Sequence, residues 1–354
     1  MVDDQRCVAR TSFARKLRVL HEDDEVLGPT SVLTDRARPM LVPNQVRGCV
    51  CFVYVRVNEK MRPVGTAFFV RVDDDAHLLV TALHLLSGAR ELKDRGGDGL
   101  LYVRVNTTDG SSEILKIRDE DWATPEQTPL TADVACCFWR YGDDLYDYRT
   151  VFTDSWLTDD VARVESVGVG DDLFLTGLFV NHHGKERNLP IVRVGNIAAM
   201  PGEPVDTPTG PVEAYLVETR SVGGLSGSPV FINMGTLRYD EDGVDVRQRT
   251  GRVWYLLGVM KGHWSSARQA APGDGGGLSD EYVNMGIAIV TPITKVVPLL
   301  SDPKIREPVE AIVEAERAKM LPVDDASDAP NEEFDRFEDL TRKLVQTPKP
   351  EKPS

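Results

Sequence analysis

The sequence has few of the features that mark secreted, membrane-embedded or metal-binding chains. Only five of its 354 residues are cysteine, and they form neither a C-x-x-C pair nor the cysteine–histidine spacing of a zinc site. No apolar run reaches the roughly 20 residues that span a bilayer, and residues 1–30 contain no apolar segment of a secretory signal. An odd cysteine count without such a signal indicates reduced, mostly buried thiols. We therefore expect a cytoplasmic protein with no disulfide, metal, cofactor or membrane partner.

Positive charge is also in deficit. The chain has 41 Lys and Arg residues against 56 Asp and Glu residues, so its formal net charge is −15. No basic block interrupts this balance, and a polyanion such as nucleic acid would be repelled by it. Nucleic acid and anionic membranes are therefore excluded as main partners. What the chain does contain is 41% hydrophobic residues, enough for a sizeable core.

The distribution of apolar residues divides the chain into four parts. Residues 1–47 are a charged N-terminal extension, and residues 48–302 are a body of short β-branched and aromatic runs separated by turn residues. Residues 303–321 have apolar positions at helical spacing. Residues 322–354 are rich in Asp, Glu and Pro and are expected to be mostly disordered. The sequence therefore predicts an all-β body with a C-terminal helix and an acidic tail.

The body contains two sets of predicted strands, one over residues 48–140 and one over residues 161–302. Their number and close spacing are typical of small barrels or sandwiches. The first set is Val50–Val57, Gly65–Val72, His77–Ala82, Leu101–Asn106, Glu113–Ile117 and Ala132–Trp139. The second set is Arg163–Val167, Asp172–Val180, Pro190–Ala199, Val212–Glu218, Pro229–Asn233, Val253–Met260 and Asn284–Val290.

The acidic tail contains one apolar stripe. Its members fall on one face of a helix, which predicts a docking segment for a regulatory protein partner. The alternative is a solvated tail without a partner. The stripe consists of Phe334, Phe337, Leu340 and Leu344.

One stretch, Gly223–Phe231, carries the chemistry of the body. It places Ser226 between small residues, directly ahead of a predicted strand. Because glycine tolerates tight turns, the Ser226 hydroxyl can project into a cleft while the N–H groups of Gly224 and Ser226 converge. Two converging donors are what a developing oxyanion needs. The alternative is a plain Gly/Ser hairpin turn.

A serine nucleophile needs a base, and the base needs a group that orients it. Among the six histidines, His84 is the best candidate because it ends the buried strand-like run Leu79–His84. Asp133 directly precedes an apolar run, where a buried carboxylate requires a partner. The alternatives are a histidine bonded to the backbone and an aspartate that caps a turn.

Four segments, taken in order, resemble the signature segments of trypsin-like serine peptidases. They are closest to the bacterial trypsin-like peptidase domains, and their His-Asp-Ser order is that of the chymotrypsin fold. The segments are Gly65–Val70, Val80–His84, Asp133–Ala135 and Gly224–Pro229.

This resemblance implies a fold and a mechanism. The fold would be two six-stranded antiparallel barrels with a cleft between them, His84 and Asp133 coming from the first barrel and Ser226 from the second. His84 would take the proton of Ser226 as that hydroxyl attacks a peptide carbonyl, and Asp133 would hold the imidazole. The oxyanion hole would be formed by the N–H groups of Gly224 and Ser226.

The chain departs from the secreted members of that family in two ways. Leu225 stands where the zymogens carry an aspartate that pairs with a newly cut N-terminus, so activation by that ion pair is not expected. Leu85 stands where a disulfide cysteine would follow the histidine. Both differences favour an enzyme that folds directly to its active form or is gated by a partner.

The resemblance also suggests a substrate pocket formed by Arg220, Gly262 and His263. Arg220 would read an acidic side chain with help from His263; the alternative is an exposed loop arginine or one paired with a nearby carboxylate. The leading hypothesis is thus an intracellular serine endopeptidase that cleaves protein or peptide substrates. The competing hypothesis is a trypsin-fold pseudo-enzyme or binding module that recruits a partner.

Overall fold

The computed structural model describes residues 42–126, 132–142, 144–207, 210–219, 223–235, 237–239, 246–248, 252–267 and 282–320. Their strands form two groups that follow each other along the chain. The first group is β1 (Val50–Val57), β2 (Lys60–Arg71), β3 (His77–Thr81), β4 (Gly97–Asn106), β5 (Ser112–Ile117), β6 (Trp122–Ala123), β7 (Ala135–Trp139) and β8 (Val151–Phe152). The second group is β9 (Asp172–Gly177), β10 (Ile191–Ala199), β11 (Val205–Thr207), β12 (Gly210–Val212), β13 (Tyr215–Glu218), β14 (Pro229–Asn233), β15 (Leu237–Tyr239), β16 (Val246–Gln248), β17 (Trp254–Ala267) and β18 (Tyr282–Pro292).

Helices are short in the body and longer at its C-terminal end. The α-helices are α1 (Asn44–Gly48), α2 (Leu83–Glu91), α3 (Asp159–Val164) and α4 (Pro303–Met320). The 3₁₀ helices are Leu92–Arg95, Asp119–Asp121, Thr153–Ser155, Val180–His182 and Ile293–Ser301.

The first group forms one sheet in the order β5-β4-β1-β2-β3-β7-β6, with β8 paired in parallel to β2. Strand β1 is apolar at nearly every position because side chains on both of its faces are buried. Cys51, Val53 and Val55 pack into the core of this sheet, whereas Phe52 and Tyr54 face the other way and pack with Leu178 of the second group. Burial on both faces replaces the alternation expected of a half-exposed strand.

The second group closes into a six-stranded barrel in the order β10-β13-β18-β17-β14-β9. Two small hairpins, β11–β12 and β15–β16, are attached to it. The predicted two-barrel, chymotrypsin-like fold is thus confirmed. It differs from the prediction in its first half, where the paired strands leave a half-barrel whose end strands β5 and β6 are not joined within the described residues.

The predicted strand over Arg163–Val167 is wrong. This segment begins within helix α3 and continues directly after it; Thr158 is the N-cap of that helix. The Thr158 hydroxyl accepts the N–H of Val161 at 3.2 Å, and Asp159 and Asp160 lie in the first turn, where carboxylates favour a helix. Removing this segment leaves the six strands that the barrel uses.

Both ends of the described chain pack on the body. Val42 and Val46 are buried in the same core cluster as Ile305 and Val309 of α4. Both valines precede β1 and belong to residues 1–47, the predicted N-terminal extension. Lys304 also donates from its Nζ to the Trp122 carbonyl oxygen at 2.8 Å. The C-terminal helix therefore lies against the first sheet, although it follows the second barrel in sequence.

A buried arginine joins the two halves at another place. Arg104 of β4 is only 6% exposed, and its guanidinium donates to the carbonyl oxygens of Gly184 and Lys185, both at 2.8 Å. Its Nε donates to the Ser112 hydroxyl, also at 2.8 Å. The segment between β9 and β10 is thereby tied to the first sheet.

Four described cysteines are free and buried, as predicted, and burial raises the pKa of their thiols well above the ordinary value. They are Cys49, Cys51, Cys136 and Cys137. No helix among the described residues is long and apolar enough to cross a membrane, and no group of metal-binding side chains is found among them. Arg220 and the tail stripe lie outside the described residues.

Candidate active site

His84 lies at the start of helix α2, not at the end of a strand as predicted. Strand β3 ends at Thr81, and Ala82 caps the helix without a side-chain hydrogen bond. The first N–H groups of a helix need acceptors from outside the helix. The backbone N–H of His84 donates to Asp133 Oδ1 at 2.8 Å. The carboxylate therefore acts as the cap that Ala82 cannot provide.

Asp133 binds His84 a second time through the ring. The distance from His84 Nδ1 to Asp133 Oδ2 is 2.7 Å. Asp133 lies two residues before β7, and its side chain is 5% exposed, against 30% for the His84 side chain. Two bonds to one residue fix both the position of the helix start and the plane of the imidazole. The structure thus brings together the two residues that the sequence analysis paired.

The charge state of Asp133 follows from its contacts. Burial by itself would raise the pKa of this carboxyl group, but the hydrogen bond and charge of His84 and the nearby ammonium of Lys261 outweigh it. The pKa is lowered, so the carboxylate is ionised at neutral pH. An ionised acceptor keeps the proton on His84 Nδ1 and leaves Nε2 as the basic ring nitrogen.

Ser226 lies in a tight turn between two glycines with left-handed backbone. The φ angles are +100° at Gly224 and +81° at Gly227, values that residues with a side chain rarely adopt. The N–H of Ser228 donates to the Leu225 carbonyl oxygen at 3.0 Å and closes the turn. Within the described part of the chain, the N–H groups of Gly224 and Ser226 have no acceptor. This is the state expected of oxyanion donors.

The turn is fastened to the first sheet by one threonine of β2. Thr66 is fully buried; its N–H donates to the Ser226 carbonyl oxygen at 2.8 Å, and its hydroxyl donates to the Gly224 carbonyl oxygen at 2.9 Å. The same hydroxyl accepts the N–H of Leu178 at 2.9 Å. Thr81 completes the contact by donating to the Thr66 carbonyl oxygen at 2.7 Å.

Close approach of the two halves requires the glycine at 227. A Cβ there would overlap the Thr66 carbonyl oxygen and the Thr81 hydroxyl. Leu225 acts from the opposite side, because it is 1% exposed and belongs to the core cluster of the barrel with Val230 and Met260. The turn is therefore held by hydrogen bonds on one side and by apolar burial on the other.

The Ser226 hydroxyl donates to the Lys261 carbonyl oxygen at 3.1 Å. Among the described residues it makes no hydrogen bond to His84. Catalytic hydrogen bonds are often long or unformed without substrate, and rotation about the Cα–Cβ bond is enough to redirect a serine hydroxyl.

Lys261 is the residue that the sequence analysis missed. Its Nζ lies 3.2 Å from Asp133 Oδ2, and its side chain is 11% exposed. The available signal was a single charged residue inside the apolar strand β17. Sequence alone gave no indication that its partner stands 128 positions earlier.

The predicted pocket residues lie only partly within the described chain. Gly262 and His263 are on β17, with His263 exposed, and a Cβ at Gly262 would meet no atom within 4 Å. The surface beside β17 is therefore open at this position. Arg220 itself lies outside the described residues, although its neighbour Thr219 is buried and donates its N–H to the Gly286 carbonyl oxygen at 2.8 Å.

Comparison with known proteins gives structural similarity without sequence similarity. No protein-family model and no curated protein sequence matches the chain. The chain is similar to the MamO protease domain from Magnetospirillum magneticum, with 16% identity and a TM-score of 0.42 over 73% of this chain and 99% of that one. It is also similar to the protease Anisep from Arthrobacter nicotinovorans, with 11% identity and a TM-score of 0.39 over 70% of this chain and 91% of that one. Identities this low carry no information on catalysis.

Proposed function

We propose that the protein is a serine endopeptidase in which Ser226, His84 and Asp133 form the catalytic triad. The observation that carries this proposal is the double hydrogen bond from His84 to the buried Asp133 carboxylate. A histidine held in this way has a fixed tautomer, in which Nε2 is the ring nitrogen that can accept a proton. Thr66 of the first sheet holds the turn that carries Ser226, and His84 and Asp133 lie next to strands β3 and β7 of that sheet. The base and the nucleophile are therefore supported by the same sheet.

The proposed reaction uses these residues in turn. The Ser226 hydroxyl rotates from the Lys261 carbonyl toward His84 and attacks a peptide carbonyl while Nε2 takes its proton. Negative charge develops on the carbonyl oxygen and is bound by the N–H groups of Gly224 and Ser226; a donor of this kind is worth about 100- to 1,000-fold in turnover. His84 then protonates the leaving amine, and water hydrolyses the acyl-enzyme by the same steps in reverse order.

The second candidate function is a binding module of the same fold that recruits a partner without cleaving it. The observation in its favour is the hydrogen bond of the Ser226 hydroxyl to the Lys261 carbonyl oxygen instead of to His84. If this bond persists when substrate is present, the hydroxyl is not activated and the cleft only binds.

A fluorophosphonate probe separates the two functions, because it reacts with an activated serine. We expect labelling of the wild type on Ser226, located by mass spectrometry, and none in Ser226→Ala or His84→Ala. Ser228→Ala is the matched control: this serine lies in the same turn, is fully buried and has no hydrogen-bond partner for its hydroxyl among the described residues. Labelling that survives His84→Ala would remove His84 as the base, and an unlabelled wild type would favour the binding module.

Substrate choice, partner and location belong to the proposal as well. We propose a cytoplasmic enzyme, supported by four described thiols that are free and buried, and subcellular fractionation tests this. Cleavage-site profiling of wild type against Ser226→Ala tests whether Arg220 and His263 select an acidic side chain. Deletion of residues 331–354, followed by affinity capture, tests whether the tail stripe binds a regulatory partner.

A further inference from the structure

Lys261 contacts the proposed triad at two points. Its carbonyl oxygen accepts the Ser226 hydroxyl at 3.1 Å, and its ammonium lies 3.2 Å from Asp133 Oδ2. That carboxylate oxygen is the one that also receives His84 Nδ1 at 2.7 Å. One oxygen of Asp133 is therefore shared between an imidazole and an ammonium.

The geometry of β17 directs the lysine to this place. Strand β17 pairs with β18 at Met260↔Val290 and resumes at Gly262↔Ile289, so Lys261 is the extra residue of a β-bulge. Bulges re-aim a side chain and are common beside active sites. On its other edge the strand is bound to the serine turn, because Gly227 donates its N–H to the Met260 carbonyl oxygen at 2.7 Å.

The pair is shielded from water. The exposed fraction is 11% for the Lys261 side chain and 5% for that of Asp133, so solvent screens their interaction much less than it would on the surface. Among the described residues, the charged or titratable groups in contact with Asp133 are His84 from α2 and Lys261 from β17. The positive charge of the lysine thus offsets part of the carboxylate charge that His84 would otherwise experience.

We propose that Lys261 is a positioning residue that weakens the hold of Asp133 on the protonated form of His84 in the proposed peptidase. This inference rests on the proposed function. The acid side of the pH–rate profile reports protonation of the base. Removing the lysine charge leaves the full carboxylate charge to stabilise the imidazolium, which moves this side of the profile to higher pH.

The test compares three variants. Lys261→Gln keeps a donor near Asp133 without charge, Lys261→Met removes both, and Lys261→Arg keeps the charge. The rate of fluorophosphonate labelling is measured from pH 4 to pH 9 for each. We expect the acid midpoint to rise by roughly one pH unit in the Gln and Met variants and to stay near the wild-type value in the Arg variant. A purely structural lysine would lower the rate equally at every pH and leave the midpoint in place, which would overturn the proposal.

A second measurement does not depend on activity. The His84 ring is titrated by NMR in histidine-labelled protein, with its resonance identified from His84→Gln. A midpoint that rises in Lys261→Gln while wild type remains unlabelled by the probe would refute the peptidase and uphold the role of Lys261 toward His84. An unchanged NMR midpoint in Lys261→Gln and Lys261→Met would refute that role, whatever the probe shows.

Discussion

Thr66→Val tests whether the serine turn is held by the first sheet. Valine has nearly the shape of threonine, so the change removes the hydroxyl that bonds the Gly224 carbonyl and the Leu178 N–H while keeping the packing. Each lost hydrogen bond costs about 1 kcal/mol, and a buried donor left without an acceptor costs about 1 to 3 kcal/mol. We expect the free energy of unfolding, measured by urea denaturation, to fall by about 2 to 4 kcal/mol.

The same change should slow the chemistry as well. Without the Thr66 hydroxyl, the Gly224–Leu225 peptide group loses its hydrogen bond, and rotation about the Gly224 backbone can move the neighbouring Gly224 N–H away from the position that binds an oxyanion. Loss of such a donor reduces turnover by about 100-fold or more, so the rate of fluorophosphonate labelling should drop more steeply than stability alone explains.

Thr176→Val is the matched control. Thr176 is also fully buried, and its hydroxyl has no hydrogen-bond partner among the described residues. Valine there removes no bond and should change the free energy of unfolding by less than about 1 kcal/mol, because an apolar group of the same shape replaces an unpaired hydroxyl. If Thr66→Val costs no more than Thr176→Val and labels at the wild-type rate, the reasoning about the turn is wrong.

Three further changes probe other parts of the fold. Asp133→Asn should cost about 3 kcal/mol of unfolding free energy at pH 7, because it leaves the Lys261 charge buried without its carboxylate. The folded-state pKa of Asp133 is lowered, so its stabilisation is present above about pH 4 and is lost as the pH falls through that lower value; the difference between variant and wild type should therefore shrink in acid. Gly227→Ala, which forces a Cβ against the first sheet at φ +81°, should cost about 2 to 4 kcal/mol by urea denaturation. Arg104→Met should expose the segment around Gly184 to limited proteolysis, because two carbonyl oxygens lose their donors.

A specific result would contradict each of these three predictions. A constant difference between Asp133→Asn and wild type from pH 7 to pH 3 would mean that the ionised carboxylate does not stabilise the fold. Gly262→Ala, where a Cβ has open space, controls for Gly227→Ala and should be close to neutral; equal costs would show that steric contact at 227 is unimportant. Equal cleavage of Arg104→Met and wild type would show that the arginine does not hold the segment between β9 and β10.

Much of the β-structure could be predicted from local pattern, but helix starts could not. The run from Leu78 to Leu86 is apolar except at Thr81 and His84, and such a mostly apolar run does not distinguish a buried strand from a buried helix. The chain leaves β3 at Thr81 and starts α2 at Leu83, a change decided by the carboxylate of Asp133. That acceptor comes from a distant part of the sequence, so the local pattern around His84 carries no trace of it.

In the candidate site, too, some residues could be predicted from local pattern and others could not. The turn at Ser226 has a local signature, since glycines flank a serine ahead of an apolar strand, and the pairing of His84 with Asp133 followed from the need of a buried carboxylate for a partner. Lys261 has no such signature, because its role depends on a bulge and on the contact between two strands far apart in sequence. Residues whose function comes from tertiary contact alone were the ones that sequence missed.

Burial of Leu225 has a consequence for how the site responds to its surroundings. A serine turn ordered by an ion pair depends on ionic strength and on a proteolytic event that creates one of the charges. Here the side chain beside Ser226 is 1% exposed in the barrel core, and apolar burial is strengthened by kosmotropic salts such as sulfate where an exposed ion pair would be screened. Order in this turn is therefore coupled to the folding of the barrel itself, and it should persist in concentrated salt for as long as the barrel does.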